Sequence, residues 1–216
     1  MPWDKYILRQ FESALPLGEH DESRYYGPYN TLLGDLFPKE EGYMVVPRYK
    51  RPRDVTSAEF YAIFLVQQGE SPVFFVEIKA AGHIHNRARR GAADEQMRET
   101  FCELLEDITI PILYGVSAMG TKLCFYTFTK ETRRLEPNRV ANSDIFLVDM
   151  APKSRWDVDI LTAEGEQRFR DIVEDAKRMY EQTGQVWLSS LIASSLVPLT
   201  ITVELVYCHN AGTGGT

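Results

Sequence analysis

From Asp4 to Leu15 the apolar residues Tyr6, Ile7, Phe11, Ala14 and Leu15 recur at the spacing of one helix face, and Pro16 and Gly18 mark its end. A polar, acidic loop runs on to Ser23. A second helix is predicted from Tyr26 to Phe37, with Pro28 near its first turn, a stripe of Tyr29, Leu32, Leu33 and Leu36, and Pro38 as its stop. The period then changes. Tyr43 to Tyr49 reads as a short strand, followed by the breaker-rich Lys50-Arg-Pro-Arg-Asp. Phe60 to Val66 and Val73 to Ile78 are β-branched and aromatic runs separated by Gln67-Gln-Gly-Glu-Ser-Pro, which predicts a hairpin of two buried strands. Gly82 to Gly91 reads as a loop, and Ala92 to Leu105 as a helix with Met97, Phe101, Leu104 and Leu105 on one face. Two more strands, Ile112 to Ser117 and Leu123 to Phe128, flank a turn at Met119-Gly120, and Ile145 to Val148 suits a short edge strand. Ala163 to Tyr180 is a closing amphipathic helix, with Thr162 as N-cap and Phe169, Ile172, Val173 and Ala176 inward.

Helices, three strands, a helix, two strands and a helix make a mixed α/β sandwich in which one helix crosses between strands of a single sheet. At 216 residues the chain has room for one such domain, 1–183, with 184–216 as an apolar C-terminal extension. Val186 to Val203 carries no charged residue and reaches the lower limit for a membrane span. Four serines, two threonines and Pro198 dilute it, and no basic cluster flanks it. A docked or poorly ordered extension is therefore expected ahead of a membrane-tethered scaffold. The start, Met1-Pro-Trp-Asp-Lys, has no apolar signal core, and three widely spaced cysteines form neither a disulfide framework nor a zinc cluster. Both suit a reducing, intracellular setting, cytoplasmic or nuclear.

Composition changes little until charge is mapped along the chain. The formal net charge of −7 argues against a generally basic protein that coats nucleic acid. Between Arg48 and Arg98, however, there are nine Lys or Arg against six Asp or Glu. Arg51 and Arg53 precede the second long strand, and Arg87, Arg89 and Arg90 follow the third; such arginines hold a phosphate backbone without reading bases.

Glu77-Ile78-Lys79 closes the second strand of the hairpin, and a period of two puts Glu77 and Lys79 on one face. A carboxylate and an ammonium projecting from a buried sheet are costly unless they pair or serve a metal. Glu59 opens the preceding strand, so hairpin pairing brings it to the same end of the sheet. Two carboxylates with the carbonyl of Ile78 would make an oxygen-rich site for Mg²⁺ or Mn²⁺. Lys79 would orient a water or stabilise charge on a phosphate. His83-Ile-His85 lacks an obvious third ligand, and Gly115-Val-Ser117-Ala-Met-Gly120 has the wrong spacing for a nucleophile elbow.

Glu59, then Glu77-Ile78-Lys79, then a helix carrying Gln96, resembles the PD-(D/E)XK nuclease core. Tyr25-Tyr-Gly-Pro-Tyr-Asn-Thr-Leu-Leu, Pro72-Val-Phe-Phe-Val-Glu-Ile-Lys, Ala93-Asp-Glu-Gln-Met-Arg-Glu and Leu113-Tyr-Gly-Val-Ser-Ala-Met-Gly-Thr-Lys-Leu-Cys-Phe-Tyr are similar to segments of a group of fungal proteins without an assigned activity. The resemblance implies a restriction-endonuclease-like fold and metal-dependent cleavage of nucleic-acid phosphodiesters. It makes Glu59 and Glu77 the metal carboxylates, Lys79 the catalytic lysine and Gln96 the helical glutamine beside the site, with Asp54 the alternative first acid. The first acid is Glu59 where the family pattern has Asp, and Ala58 stands before it in place of Pro. A lapsed module that keeps the fold to bind nucleic acid or protein is the alternative.

Overall fold

The computed structural model describes residues 3–50, 61–140 and 148–195. Two helices come first, α1 (Lys5–Ala14) and α2 (Ser23–Leu36). Asp4 caps α1 by accepting from the Tyr6 N–H at 2.7 Å, and Ile7, Phe11 and Ala14 form its buried face. The helix α2 starts three residues earlier than its apolar stripe suggests, because the Asp21 carboxylate accepts from the Ser23 N–H at 3.0 Å. Pro28 consequently lies inside the helix and not in its first turn.

Strands β1 (Tyr43–Lys50), β2 (Tyr61–Gln68) and β3 (Ser71–Lys79) form an antiparallel meander. The hairpin between β2 and β3 turns on Gly69-Glu70 alone, with Gly69 in the left-handed region at φ +63°. After a short 3₁₀ helix (Ala81–His85), α3 (Arg87–Leu104) crosses to β4 (Ile112–Met119), which pairs with β3 in parallel. A helix in the connection is the usual way to join parallel neighbours, because the chain must return to the starting end of the sheet. Of the loop expected over Gly82 to Gly91, the part up to His85 belongs to the 3₁₀ helix and the part from Arg87 is the start of α3, capped by the Asn86 side chain on the Arg89 N–H.

Strand β5 (Lys122–Thr129) returns antiparallel to β4. Its far edge carries two short strands, β6 (Arg134–Glu136) at one end and β7 (Val158–Asp159) at the other. The result is a mixed seven-stranded sheet in the order β1-β2-β3-β4-β5-β6, with β7 also on β5. Of the edge strand expected at Ile145 to Val148, residues 145–147 lie outside the described residues and Val148 is not in a strand. The helix α4 (Ala163–Ser195) follows, with Thr162 Oγ1 accepting from the Gly165 N–H at 3.1 Å as an N-cap.

Helices cover both faces. Phe75 on β3 meets Phe101 of α3 with ring centroids 4.8 Å apart. On the opposite face Phe74 meets Phe37, just past α2, and Phe169 of α4, both at 5.6 Å. Alternation along one strand thus feeds two cores, and each fully buried ring adds about 1.5–3 kcal/mol. Gly115 on β4 sets how closely α3 approaches: a Cβ there would lie 2.6 Å from Phe75 Cζ and 2.9 Å from Met97 Cε. Trp3 ties the start of the chain to α4, donating from its N–H to Glu166 at 2.8 Å and from its indole to the Ile160 carbonyl at 2.7 Å.

The chain divides into two compact units, Met1–Thr183 and Gly184–Thr216. The second is described to residue 195, where it is helical. No helix among the described residues is long and apolar enough to cross a membrane.

Burial pushes the phenols of Tyr25, Tyr29, Tyr43, Tyr114 and Tyr126 upward, Tyr43 to about 12. An unfolded tyrosine titrates near 10, so the native state keeps these protons longer. Their contribution to stability is full below about pH 10 and falls as pH rises toward 12 and beyond. Urea unfolding is expected to show a steady loss across that window, with tyrosinate absorbance appearing together with unfolding. Ionisation of all tyrosines in the folded protein near pH 10 would contradict it.

A second expectation concerns the unit boundary. Among the residues whose burial is described, to 183, the apolar side chains that α4 buries are Phe169, Val173, Ala176 and Met179. A chain ended at Thr183 should keep a single cooperative thermal transition; its loss would make the remainder part of the core.

Candidate functional site

Glu77 and Lys79 leave the same face of β3, the face that α3 covers. Glu77 is 0% exposed and Lys79 6%, and the Lys79 ammonium lies 3.3 Å from a Glu77 carboxylate oxygen. The pair sits at the C-terminal end of a central strand, next to the parallel crossover. In open α/β sheets the carboxyl ends of parallel strands, where a crossover leaves the sheet, are where ligands are received.

Register extends the site across the sheet. Ile63 of β2, Glu77, Ser117 of β4 and Cys124 of β5 lie in one row. Ser117 is fully buried, and its hydroxyl has no hydrogen-bond partner among the described residues. Thr100 Oγ1 and Gln96 Oε1 on α3 are likewise buried atoms without a hydrogen-bond partner among the described residues, Gln96 as a residue being half-buried. Burial pushes the Cys124 thiol up to about 12, so it stays a neutral, unreactive group at the far end of the row. Ile78 points its side chain to the opposite face, is buried, and is flanked in register by Ala62 and Ala118; its carbonyl lies in the plane of the sheet.

The other residues expected at the site divide into three groups. Glu59, Asp54, Arg51 and Arg53 lie outside the described residues. Arg87 and Arg89 are exposed in the first turn of α3, and Arg89 Nη1 lies 2.9 Å from His83 Nε2. Arg90 departs from the expected phosphate-binding rim. It is 6% exposed and donates to the Ala151 carbonyl, the Ile84 carbonyl and the Asp149 carboxylate, at 2.9, 2.9 and 2.5 Å. Within the run Arg87 to Arg90 the helix turns this one guanidinium inward, so it fastens α3 to the segment around residue 150.

One turn further along, the same stripe of α3 carries Asp94 and Arg98, which the sequence pattern did not single out. Asp94 accepts from Arg98 at 3.0 and 3.1 Å, from the Tyr126 hydroxyl at 2.7 Å and from Arg155 at 2.8 Å. Arg98 and Arg155 also donate to the carbonyls of Pro137 and Asn138, each at 2.8 Å. Asp94 is therefore the hub that holds two excursions of the chain against α3. A glimpse of it was available in sequence, since Asp94 and Arg98 stand at the i, i+4 spacing of a helix pair; Tyr126 and Arg155 were not foreseeable.

His83 and His85 sit on the 3₁₀ helix after β3, where Lys153 Nζ approaches His85 Nδ1 at 3.4 Å. Among the described residues no group of three or more His, Cys, Asp or Glu is gathered to hold a metal. Comparison of the chain with family models, with curated proteins and with solved structures gives no match.

The hub yields a stability prediction. Asp94→Ala leaves two largely buried guanidinium groups without their carboxylate and should cost about 3–5 kcal/mol in urea unfolding. Asp94→Asn, which still accepts hydrogen bonds, should cost less. A loss under about 1 kcal/mol in the alanine variant would show that the hub contributes little.

Proposed function

We propose that the chain is a divalent-metal-dependent, nuclease-like protein that acts on nucleic-acid phosphodiesters, with its mixed sheet as a restriction-endonuclease-like core. The observation that carries this reading is the Glu77–Lys79 pair: opposite charges buried together, 3.3 Å apart, at the end of a central strand. A sheet under a helix gains most from apolar residues, and an ion pair there offsets its desolvation poorly. Such placement fits a site that works on a charged substrate.

The donor set on this face suits a hard cation. Glu77 offers a carboxylate, Gln96 an amide oxygen, and Ser117 and Thr100 hydroxyls, all hard oxygen donors; the sulfurs on this face are the protonated Cys124 and the neutral thioethers of Met97 and Met119. Glu77 would hold Mg²⁺ or Mn²⁺ together with Glu59, or Asp54 in its place, and the carbonyl of Ile78. The bound ion would polarise a phosphoryl oxygen and lower the barrier to attack by water. Lys79 would orient that water and steady charge on the phosphate, and Gln96 would support the site from α3. Arg87 and Arg89 in the first turn of α3, with Arg51 and Arg53, would hold the phosphate backbone. Arg90, committed to its three internal bonds, is left out of that surface.

The test is metal-linked stability beside cleavage. Millimolar Mg²⁺ or Mn²⁺ should raise the unfolding temperature, because the ion binds only the folded form. Glu77→Gln, almost equal in volume, should abolish the rise. Lys79→Met should keep the metal response and lower cleavage by about 100-fold or more, compared where each variant is folded. Metal binding without cleavage of varied DNA and RNA would identify a lapsed binding module instead. A wild type indifferent to either ion would falsify the site and leave Glu77 and Lys79 as a structural ion pair.

A further inference from the structure

Ser117 is a polar residue where packing calls for an apolar one. Its neighbours on the same face of β4 are Gly115 and Met119, and its strand partner on β5 is Cys124. Parallel register sets it directly beside Glu77, on strands about 4.8 Å apart. The residue is 0% exposed, and its Oγ is without a hydrogen-bond partner among the described residues. A buried hydroxyl left in that state weakens the fold, so the position demands a partner that these residues do not supply.

A second orphan belongs to the element that covers this face. Gln96 Oε1 on α3 is buried and likewise lacks a hydrogen-bond partner among the described residues. The two atoms are complementary in role. A serine hydroxyl donates, an amide oxygen accepts, and the Glu77 carboxylate accepts. A single water between the two orphan atoms would accept from Ser117, donate to Gln96, and have its second hydrogen left for the Glu77 carboxylate. Three bonds of this kind are the usual complement of a buried water.

We propose that Ser117 is a positioning residue for the Glu77 site: with Gln96 it holds one ordered water against the Glu77 carboxylate and so fixes the carboxylate for a divalent ion. This role rests on the metal-site reading above. It differs from a ligand role, since Ser117 acts through Glu77 and the water and does not touch the ion. Outer partners of this type hold a ligating carboxylate in one orientation, and their removal typically weakens metal binding by about 10–100-fold.

The experiment is Mg²⁺ and Mn²⁺ titration of the full chain by calorimetry, beside metal-free thermal unfolding. Ser117→Ala should weaken ion binding about tenfold or more while the metal-free transition moves little. Ser117→Cys, closest in volume and a poor donor, should behave alike and carries the comparison if the alanine variant does not fold. Gln96→Leu should lose a similar factor. The double variant Ser117→Ala with Gln96→Leu should lose less than the product of the single losses, because both act through one water. Ion binding unchanged in Ser117→Ala and Ser117→Cys overturns the role of Ser117 while leaving the metal site standing. Fully multiplicative losses overturn the shared water. A wild type that binds neither ion overturns the metal site, and this role with it.

Discussion

Strand β3 is buried along its length after Ser71, and the architecture follows from the need to cover both of its faces. Phe74 and Phe75, adjacent in sequence, open opposite cores because successive side chains leave a strand on opposite sides. One face needs α3, the other needs α2 and α4, and a single helix layer would leave a row of aromatic rings in water. The parallel pairing of β3 with β4 is the economical solution, since the connection between them is itself the helix that covers the Phe75 face. The same connection brings Ser117 alongside Glu77. Core and candidate site are two outcomes of one crossover.

Helix α3 divides its tasks by stripe. Arg90, Asp94 and Arg98, four residues apart, face the segments around residues 137 and 150 and fix them in place. Ala93, Met97 and Phe101 bury against the sheet. Gln96 and Thr100 bring polar atoms into the buried layer without hydrogen-bond partners among the described residues. The charge-rich stripe is saturated and the sparsely polar one is not. The unsatisfied stripe is the one that calls for a ligand or a water, although the charged one draws the eye in the sequence.

Much of the scaffold was legible because it obeys local periodicity. The β2–β3 hairpin, the β4–β5 hairpin, α1 and the start of α4 at Thr162 all announce themselves through alternation, helical stripes and caps. Departures have local physical causes. The start of α3 was hidden by Gly91, which reads as a breaker yet is carried within a helix capped at Asn86. β6 and β7 span three and two residues, too few for any period to show. In sequence Arg90 shares a charge run with Arg87 and Arg89, and a run does not record the 100° rotation per residue that separates its members. Within the site, Glu77 and Lys79 were legible from strand alternation. The placement of Ser117 beside Glu77 was not, because parallel register joins residues forty apart and leaves no trace in either segment.

The bond between Trp3 and Glu166 spans 163 residues. A ribosome makes the chain from its first residues onward, so Trp3 is exposed long before the carboxylate that will receive its N–H exists. The inner face of α1, with Ile7 and Phe11, is tied to the same late event through the anchor at Trp3. Contacts of such sequence separation carry a loop-closure cost that slows folding. The hairpins can form while the chain is still emerging, but the layer of α1 and α4 closes only after Glu166 and Phe169 have been made. During that interval the Phe74 side of the sheet lacks part of its cover and is the surface that chaperones would have reason to meet.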